Sequence, residues 1–364
     1  MRAVVCEQIG EPEELEIRHR DPAPCGPGQV RVHVWAAGVN YVDALFVQGR
    51  YQIRPEPPFV PGSELAGEVT EVGEGVEQWR VGDRVMASIG LGAYTDEIVL
   101  DADRLLRTPP RLSDGQAATM LQSYATAWYS LTRRTRLEPE EWVVALGGAG
   151  GVGLATLDVA RSLGANVLSV ASSDEKLQLC IQRGAHGVVD RRTDDLKERV
   201  RELTGGGADV VVDTVGGSLT EPALRALGEN GRLLVVGFAS GDIPRIPANQ
   251  VLLRNRSVIG VDWGAWARTS WIWPSRGRSS TTAIRTVSPH SWSICWTTAA
   301  RRPSPWARSA SRRTWRDCPS KRLPGRGRCS TALPRARGMS SARATPQSGV
   351  HGRGGNRLAP APSL

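Results

Sequence analysis

Residues Gly147–Gly153 read Gly-Gly-Ala-Gly-Gly-Val-Gly, and this is the stretch of the sequence best suited to chemistry. Within it, Gly148, Gly150 and Gly153 fit the spacing G-x-G-x-x-G. That spacing serves a pyrophosphate: one glycine allows a tight turn, one lets the backbone approach the phosphates, and one lets a helix lie close to its strand. Gly151 and Val152 fall in the same loop, where a helix start would present free N–H groups and a positive dipole end to the phosphates. A second set follows at Ser172–Lys176. Enzymes that use NAD commonly place an acid at the end of the second strand to hold the ribose 2′-hydroxyl. Ala171 and Ser172 stand there instead. Ser172-Ser-Asp-Glu175 reads as a capping box, which accounts for its acids without a ligand. Ser172 and Lys176 are then suited to a 2′-phosphate, and the expected cofactor is NADPH.

The elements around these residues are legible. Val143–Leu146 is a short, valine-containing apolar run, as a buried parallel strand is. After the glycines, Leu154, Leu157, Val159, Ala160 and Leu163 recur at near-helical spacing and Gly164 stops the helix. A strand is expected at 166–170, a helix from Leu177 to Gly184, a short strand at 188–190 and an amphipathic helix at 195–203. Ala208–Asp213 reads as a central strand that ends in a loop with Gly216 and Gly217, at the edge of the sheet that faces a ligand crevice. Leu233–Ala239 reads as another. Upstream, residues 1–100 alternate apolar and polar in short segments such as Gln29–Trp35, Glu68–Val72 and Asp83–Ala87, punctuated by Gly73, Gly75 and Gly82. That pattern predicts a compact antiparallel β domain. A helix from about Ser113 to Arg134 joins it to the nucleotide-binding part. The fold class is therefore α/β, a doubly wound parallel sheet preceded by a β domain, with the active cleft between the two.

Length and charge narrow the function. The chain has 364 residues, enough for two domains with cores of their own. No apolar run is long enough to span a bilayer, the first residues are not a signal peptide, and a cytoplasmic location is expected. The cysteines at 6, 25, 180, 295, 318 and 329 form no C-x-x-C pair, so neither a zinc knuckle nor a disulfide framework is indicated. The net charge of +9 is unevenly spread. Residues 268–364 carry 18 Arg and 1 Lys against 1 Asp and no Glu, whereas residues 1–267 hold 27 basic and 36 acidic side chains.

Three further segments make a resemblance specific: Ala36–Asp43, Pro61–Val69 and Val81–Val85. With Gly147–Gly153 they resemble the medium-chain dehydrogenase/reductase superfamily, in its NADPH:quinone oxidoreductase branch, over about residues 1–267. The resemblance implies a GroES-like β domain over 1–125, a Rossmann domain over 126–267, and a small-molecule quinone or enone substrate. It implies that Asn40, Asp43 and Tyr51 line the active cleft, with Asn40 hydrogen-bonding a substrate oxygen and Tyr51 donating a hydrogen bond or stacking on a planar ring. Plainer roles stand beside these: Asn40 satisfying a buried turn, Asp43 capping a helix, Tyr51 as a rim aromatic. The loop Asp213–Gly217 is expected to approach the nicotinamide ribose, and Gly237 and Phe238 to border the nicotinamide. Relatives of this kind commonly dimerise through the nucleotide-domain sheet, so a homodimer is open to this chain. The zinc alcohol dehydrogenases of the superfamily have a cysteine ligand where this chain has Asn40 and a histidine where it has Ser63. Their four-cysteine lobe has no counterpart near residues 88–100. Asn and Ser are poor zinc ligands, so no metal is expected, and Glu64 is expected to be structural. His33 is expected to be a surface or packing histidine. The resemblance favours hydride delivery to an already electrophilic quinone, C=C or carbonyl acceptor. Its alternatives are an enoyl-thioester reductase, with Tyr41 or Tyr51 as proton donor, or a non-catalytic NADPH-binding protein.

The resemblance stops at residue 268. Residues 268–364 show no sustained period of 2 or 3.6 and contain 16 Ser, 10 Pro and 6 of the 12 Trp. Disordered tails are poor in aromatics, so a basic tail is an incomplete account. A shifted reading frame explains more. Taken one base earlier, Ser270-Trp-Ile-Trp-Pro274 becomes Leu, Asp, Leu and Ala, and Ser291–Thr297 becomes similarly amphipathic. The segment is therefore expected to be irregular and non-native, the product of a base lost or gained near codon 268. Nucleic-acid binding is expected only as an artefact of its arginines.

Overall fold

The computed structural model describes residues 1–270, with side chains through Ala267. The expectations for 268–364, the frame shift and the arginine tail among them, fall essentially outside the described residues. Alternating burial builds the first half. Strand β1 (Arg2–Val5) pairs with β2 (Glu16–His19), and β3 (Gln29–Gly38) buries Val30, Val32 and Val34 while the residues between them face outward. After helix α1 (Tyr41–Val47) come β4 (Glu64–Val72), β5 (Arg84–Ser88), β6 (Glu97–Asp101) and β7 (Leu106–Arg107). These make a five-stranded antiparallel sheet in the order β6-β3-β4-β5-β7, closed over a core of Val30, Val32, Leu65, Val69, Trp79 and Val85.

The long helix expected from Ser113 to Arg134 is broken. It divides into α2 (Asp114–Ala117), α3 (Leu121–Tyr129) and a wider π turn at Ser130–Arg134. Ser113 caps α2 by accepting the Gln116 N–H at 3.3 Å. A new helix start at Leu121 needs partners for its first N–H groups. One comes from outside the helix, where the Glu64 carboxylate accepts the Gln122 N–H at 2.9 Å. Around α3, Leu121 packs with Ala66 and Met86 of the β domain, and Ala127 with Val143 and Leu157 of the nucleotide-binding part.

From β8 (Trp142–Leu146) the chain alternates strand and helix: α4 (Gly151–Ser162), β9 (Asn166–Ala171), α5 (Asp174–Gln182), β10 (Gly187–Asp190), α6 (Leu196–Thr204), β11 (Ala208–Asp213), α7 (Thr220–Ala226), β12 (Leu227–Val235), α8 (Ala248–Leu252), β13 (Ser257–Gly260) and α9 (Trp263–Ser270). The six strands are parallel, in the order β10-β9-β8-β11-β12-β13. Successive residues of β8 go to opposite faces. Val143 joins a core with α4 and the end of α3, and Val144 and Leu146 join one with α6 and α7. Burial on both faces is why the strand reads as a continuous apolar run. The strand order reverses between β8 and β11, and the carboxyl edge at such a switch point is where open α/β sheets hold ligands. The expected strand at 233–239 begins earlier and ends at Val235, so Gly237, Phe238 and Ala239 lie in the loop beyond it. Among the described residues, no helix is long and apolar enough to cross a membrane.

Candidate functional site

Four loops meet at that carboxyl edge. The first, between β8 and α4, is the glycine loop. Its left-handed residue is Gly147 (φ +66°), not Gly148, so the tight turn falls one residue before the fingerprint. Gly148 is needed for space, because a Cβ there would lie 2.7 Å from the Cβ of Ser169 in β9. At Gly153 a Cβ would meet the Gly147 carbonyl oxygen at 2.3 Å and the Gly148 Cα at 2.7 Å, so the helix could not seat against its own loop. Gly151 faces Ser123 of α3, whose Oγ would be 2.8 Å from an added Cβ. Gly150 is the N-cap of α4, and there the nearest atom to an added Cβ is the Gly147 oxygen at 3.2 Å. Its α-carbon is thus the least obstructed of these glycines, next to the half-buried Val152 and the unpaired N–H groups of a helix start. This cradle fits a pyrophosphate.

The loops after β11 and β12 are laced together. Asp213 is fully buried; its Oδ1 accepts the N–H groups of Val215 (2.9 Å) and Gly216 (2.8 Å), and its Oδ2 accepts the Thr220 hydroxyl (2.6 Å). Asp213 therefore shapes this loop with both oxygens occupied, and what the loop offers a ligand is its backbone and Thr214. Thr214 donates to the Leu146 carbonyl at 2.9 Å, tying the loop to the end of β8. Gly216 (φ +71°) lies against Phe238, whose Cδ1 would be 2.9 Å from an added Cβ. Gly237 N–H reaches the Asp213 carbonyl at 3.2 Å and Ala239 N–H the Thr214 carbonyl at 3.2 Å. The expected residues Asp213, Gly216, Gly237 and Phe238 are thus brought into one wall. On the β-domain side, the exposed Tyr41 phenol reaches the Ala239 carbonyl at 3.5 Å.

The fourth loop follows β9. The helix cap is one residue later than expected: Ser173, not Ser172, accepts the Lys176 N–H at 3.3 Å. A capping box from Ser172 to Glu175 is therefore not formed, and Ser172 is left half-buried between strand and cap with Lys176 exposed beyond it. Sequence reasoning missed the neighbours at the end of β10. Asp190 pairs with Ala171 in the parallel register, the Arg191 N–H donates to the Ala171 carbonyl at 3.0 Å, and Arg192 bridges Asp190 and Asp174. The signal was present as two arginines directly after a short strand.

Residues Asn40–Asp43 start α1, and they are turned inward. Asp43 is only 3 % exposed; its Oδ2 accepts the Asn40 N–H at 2.8 Å and the Tyr94 hydroxyl at 2.9 Å. It is the third helical residue of a capping box whose N-cap is Asn40. Burial raises its pKa above the usual carboxylate range. Asn40 donates its amide to Ser63 Oγ (3.2 Å) and Glu64 Oε1 (2.9 Å). Asn40, expected to hydrogen-bond a substrate oxygen, thus directs its amide nitrogen to two side chains of the same domain. Glu64 is 1 % exposed, and burial pushes its pKa up to about 7 against the opposing pull of the Gln122 and Asn40 donors. Tyr94, half-buried beside Asp43, has its pKa raised by desolvation and by that carboxylate. Tyr51 is half-buried and meets Phe46 edge-on at 4.9 Å, beside Cys6, Val47 and Phe59. His33 meets Trp35 edge-on at 4.3 Å within β3, a packing role.

Known proteins resemble the chain in both halves. The family model described as an alcohol dehydrogenase GroES-like domain matches residues 26–110, and that described as a zinc-binding dehydrogenase matches residues 151–275. Quinone oxidoreductase-like protein 2 of Bos taurus is 40% identical over 296 residues, covering 79% of this chain and 84% of the relative. A quinone oxidoreductase of Pseudomonas aeruginosa is 38% identical over 236 residues, 64% of this chain and 72% of its own length. Among solved structures, Escherichia coli quinone oxidoreductase complexed with NADPH superposes with a TM-score of 0.71 at 27% identity, covering 84% of this chain and 89% of that one. A probable oxidoreductase from Mycobacterium abscessus superposes at 0.66 with 38% identity, covering 74% and 82%. With a β domain, a six-stranded parallel sheet and a glycine cradle at its switch point in the same order, the chain belongs to the medium-chain dehydrogenase/reductase family, among oxidoreductases of the quinone oxidoreductase type.

Proposed function

We propose that this protein is a zinc-independent reductase that takes hydride from NADPH to a quinone or to an activated C=C or carbonyl acceptor. Residues 1–125 serve the substrate and 126–267 the cofactor. The pyrophosphate would be held by Gly148, Gly150, Gly151, Val152 and Gly153, the nicotinamide end by the wall of Gly216, Gly237 and Phe238, and the adenosine end by Ser172 and Lys176. NADPH supplies the hydride; the protein supplies orientation and exclusion of water. The observation that carries the zinc-independent reading is the closed hydrogen-bond set of Asn40, Ser63 and Glu64. Zinc takes thiolate, imidazole or carboxylate ligands. Here an amide and a hydroxyl occupy two of the positions, and both are committed to internal hydrogen bonds. Lacking a Lewis acid to activate an alcohol, the site suits acceptors that are electrophilic already. Tyr41, exposed beside Ala239, favours a second reading as an enoyl-thioester reductase, in which its phenol protonates the α-carbon.

The test is NADPH oxidation by the purified full chain, followed with several quinones, an enone and an enoyl thioester, before and after dialysis against a chelator. Turnover with quinone that survives the chelator is the expected result. Stoichiometric zinc whose removal abolishes turnover, or no response to NADPH at all, would overturn it.

A further inference from the structure

The side chains at the adenosine end are not a simple basic pocket. Arg192 is gripped by two carboxylates from different elements. Its Nε donates to Asp190 Oδ1 (2.9 Å) and Oδ2 (3.1 Å), and its Nη2 donates to Asp190 Oδ2 (2.6 Å) and to Asp174 Oδ1 (2.5 Å). Both hydrogens of Nη2 are thereby used, and Nη1 has no acceptor among the described residues. The cluster lies where β9 and β10 end side by side, because Asp190 is in register with Ala171 and Asp174 opens the helix that follows Ser172 and Ser173. In a sheet of this topology the ribose 2′-position lies at this strand end. The two acids differ in depth, the Asp190 side chain being 16% exposed and that of Asp174 88%. Asp190 is a fixed part of the turn, whose backbone also accepts from Thr193 and Asp194. Asp174 is an exposed counter-charge on the solvent side.

At these two element ends the chain carries Lys176, Arg191 and Arg192 together with Asp174, Glu175 and Asp190. Bidentate guanidinium contact is the strong way to hold a phosphate, and the guanidinium is already engaged. We propose that Arg192 is the specificity-determining residue for the 2′-phosphate, and that Asp174, by competing for it, limits the preference for NADPH over NADH. This rests on the reading of the chain as a nicotinamide-dependent reductase and adds to it the residue pair that sets the cofactor.

The experiment is a fluorescence titration of the full chain and of Arg192→Gln, Arg192→Lys and Asp174→Asn with NADPH and with NADH, at two ionic strengths. Wild-type protein should bind both nucleotides, with Kd values within about tenfold of each other, a modest discrimination for a charged contact. Arg192→Gln should raise the Kd for NADPH at least roughly tenfold and move that for NADH by less than about threefold, as loss of one charge-assisted contact does. Arg192→Lys, keeping charge without the fork, should fall between. Asp174→Asn should tighten NADPH about threefold or more and leave NADH unchanged, with the gain shrinking at high salt. Equal losses for both nucleotides in Arg192→Gln, or an unchanged Kd ratio in Asp174→Asn, would overturn this inference while leaving the reductase reading intact. Failure of the wild-type chain to bind either nucleotide would overturn both.

Discussion

Glu64 shows how one side chain acquires a role from its surroundings. It stands in β4 with essentially no solvent contact, and its two oxygens accept from Asn40 of the α1 cap and Gln122 of α3. Burial raises its pKa from 4.5 to about 7, and Asp43 nearby adds to the rise. A raised folded-state pKa means that the folded protein holds a proton which the unfolded chain releases. That contribution is fully present below pH 4.5 and is lost as pH climbs through about 7. Each pKa unit is worth about 1.4 kcal/mol. Urea unfolding between pH 5 and pH 8 should therefore show the native chain losing stability, by an amount on the order of 2–3 kcal/mol, relative to Glu64→Gln. The variant will have a different absolute stability, since an amide cannot accept from both donors. The slope against pH is the readout, and parallel slopes would remove the assignment. Residue types made Asn40, Asp43 and Glu64 visible in the sequence. Which of their atoms point inward was not, because that is set by Ser63, Tyr94 and Gln122, up to 58 positions away along the chain.

At the scale of elements, the start of α4 separates two reasons for glycine. Gly153 is required by packing, since an added Cβ would press on backbone atoms that cannot rotate away. Gly150 has nearly enough room for a methyl group and a φ of −78° that alanine adopts freely. Gly153→Ala should cost roughly 1–3 kcal/mol of stability, as overpacking does. Gly150→Ala should leave the unfolding midpoint nearly unchanged yet raise the Kd for NADPH about tenfold, because its methyl group stands where the phosphates approach. Denaturation and nucleotide titration of the two variants check this together. Equal effects of the two substitutions on binding, with equal stability, would contradict it. The order of strand, loop and helix here was legible because each is a local pattern: an apolar run, glycine spacing, then a 3.6-residue period. The break between α2 and α3 was not. Apolar residues recur straight through Ala117–Leu121, and it is the Glu64 carboxylate that gives a fresh helix its N-terminal partner.

At the scale of the molecule, the four loops at the carboxyl edge, with Tyr41 reaching across to Ala239, form a site to which no single element is sufficient. A ligand held by many elements stabilises them all through mass action. NADPH at about 100 times its Kd should add about 2.7 kcal/mol, which for a chain of this size raises Tm by roughly 3–5 °C. Differential scanning fluorimetry of the full chain, with and without the nucleotide, reads this directly, and an unmoved Tm at saturating NADPH would count against the proposed cofactor site.

Sequence alone determined the architecture. A two-residue alternation up to about residue 100, a strand–glycine–helix unit at 143–164 and repeated strand and helix patterns to 267 are each written in neighbouring residues, since backbone periodicity decides which face a side chain takes. It also determined that positions 40 and 63 carry an amide and a hydroxyl. Tertiary structure alone decided what those groups do. It spent both Asn40 amide hydrogens on Ser63 and Glu64, closed Asp213 around its own loop, moved the cap of α5 to Ser173 and set Arg192 between Asp190 and Asp174. Those outcomes depend on distance and direction between residues far apart in the chain, and hydrogen bonds and ion pairs are short-ranged and directional.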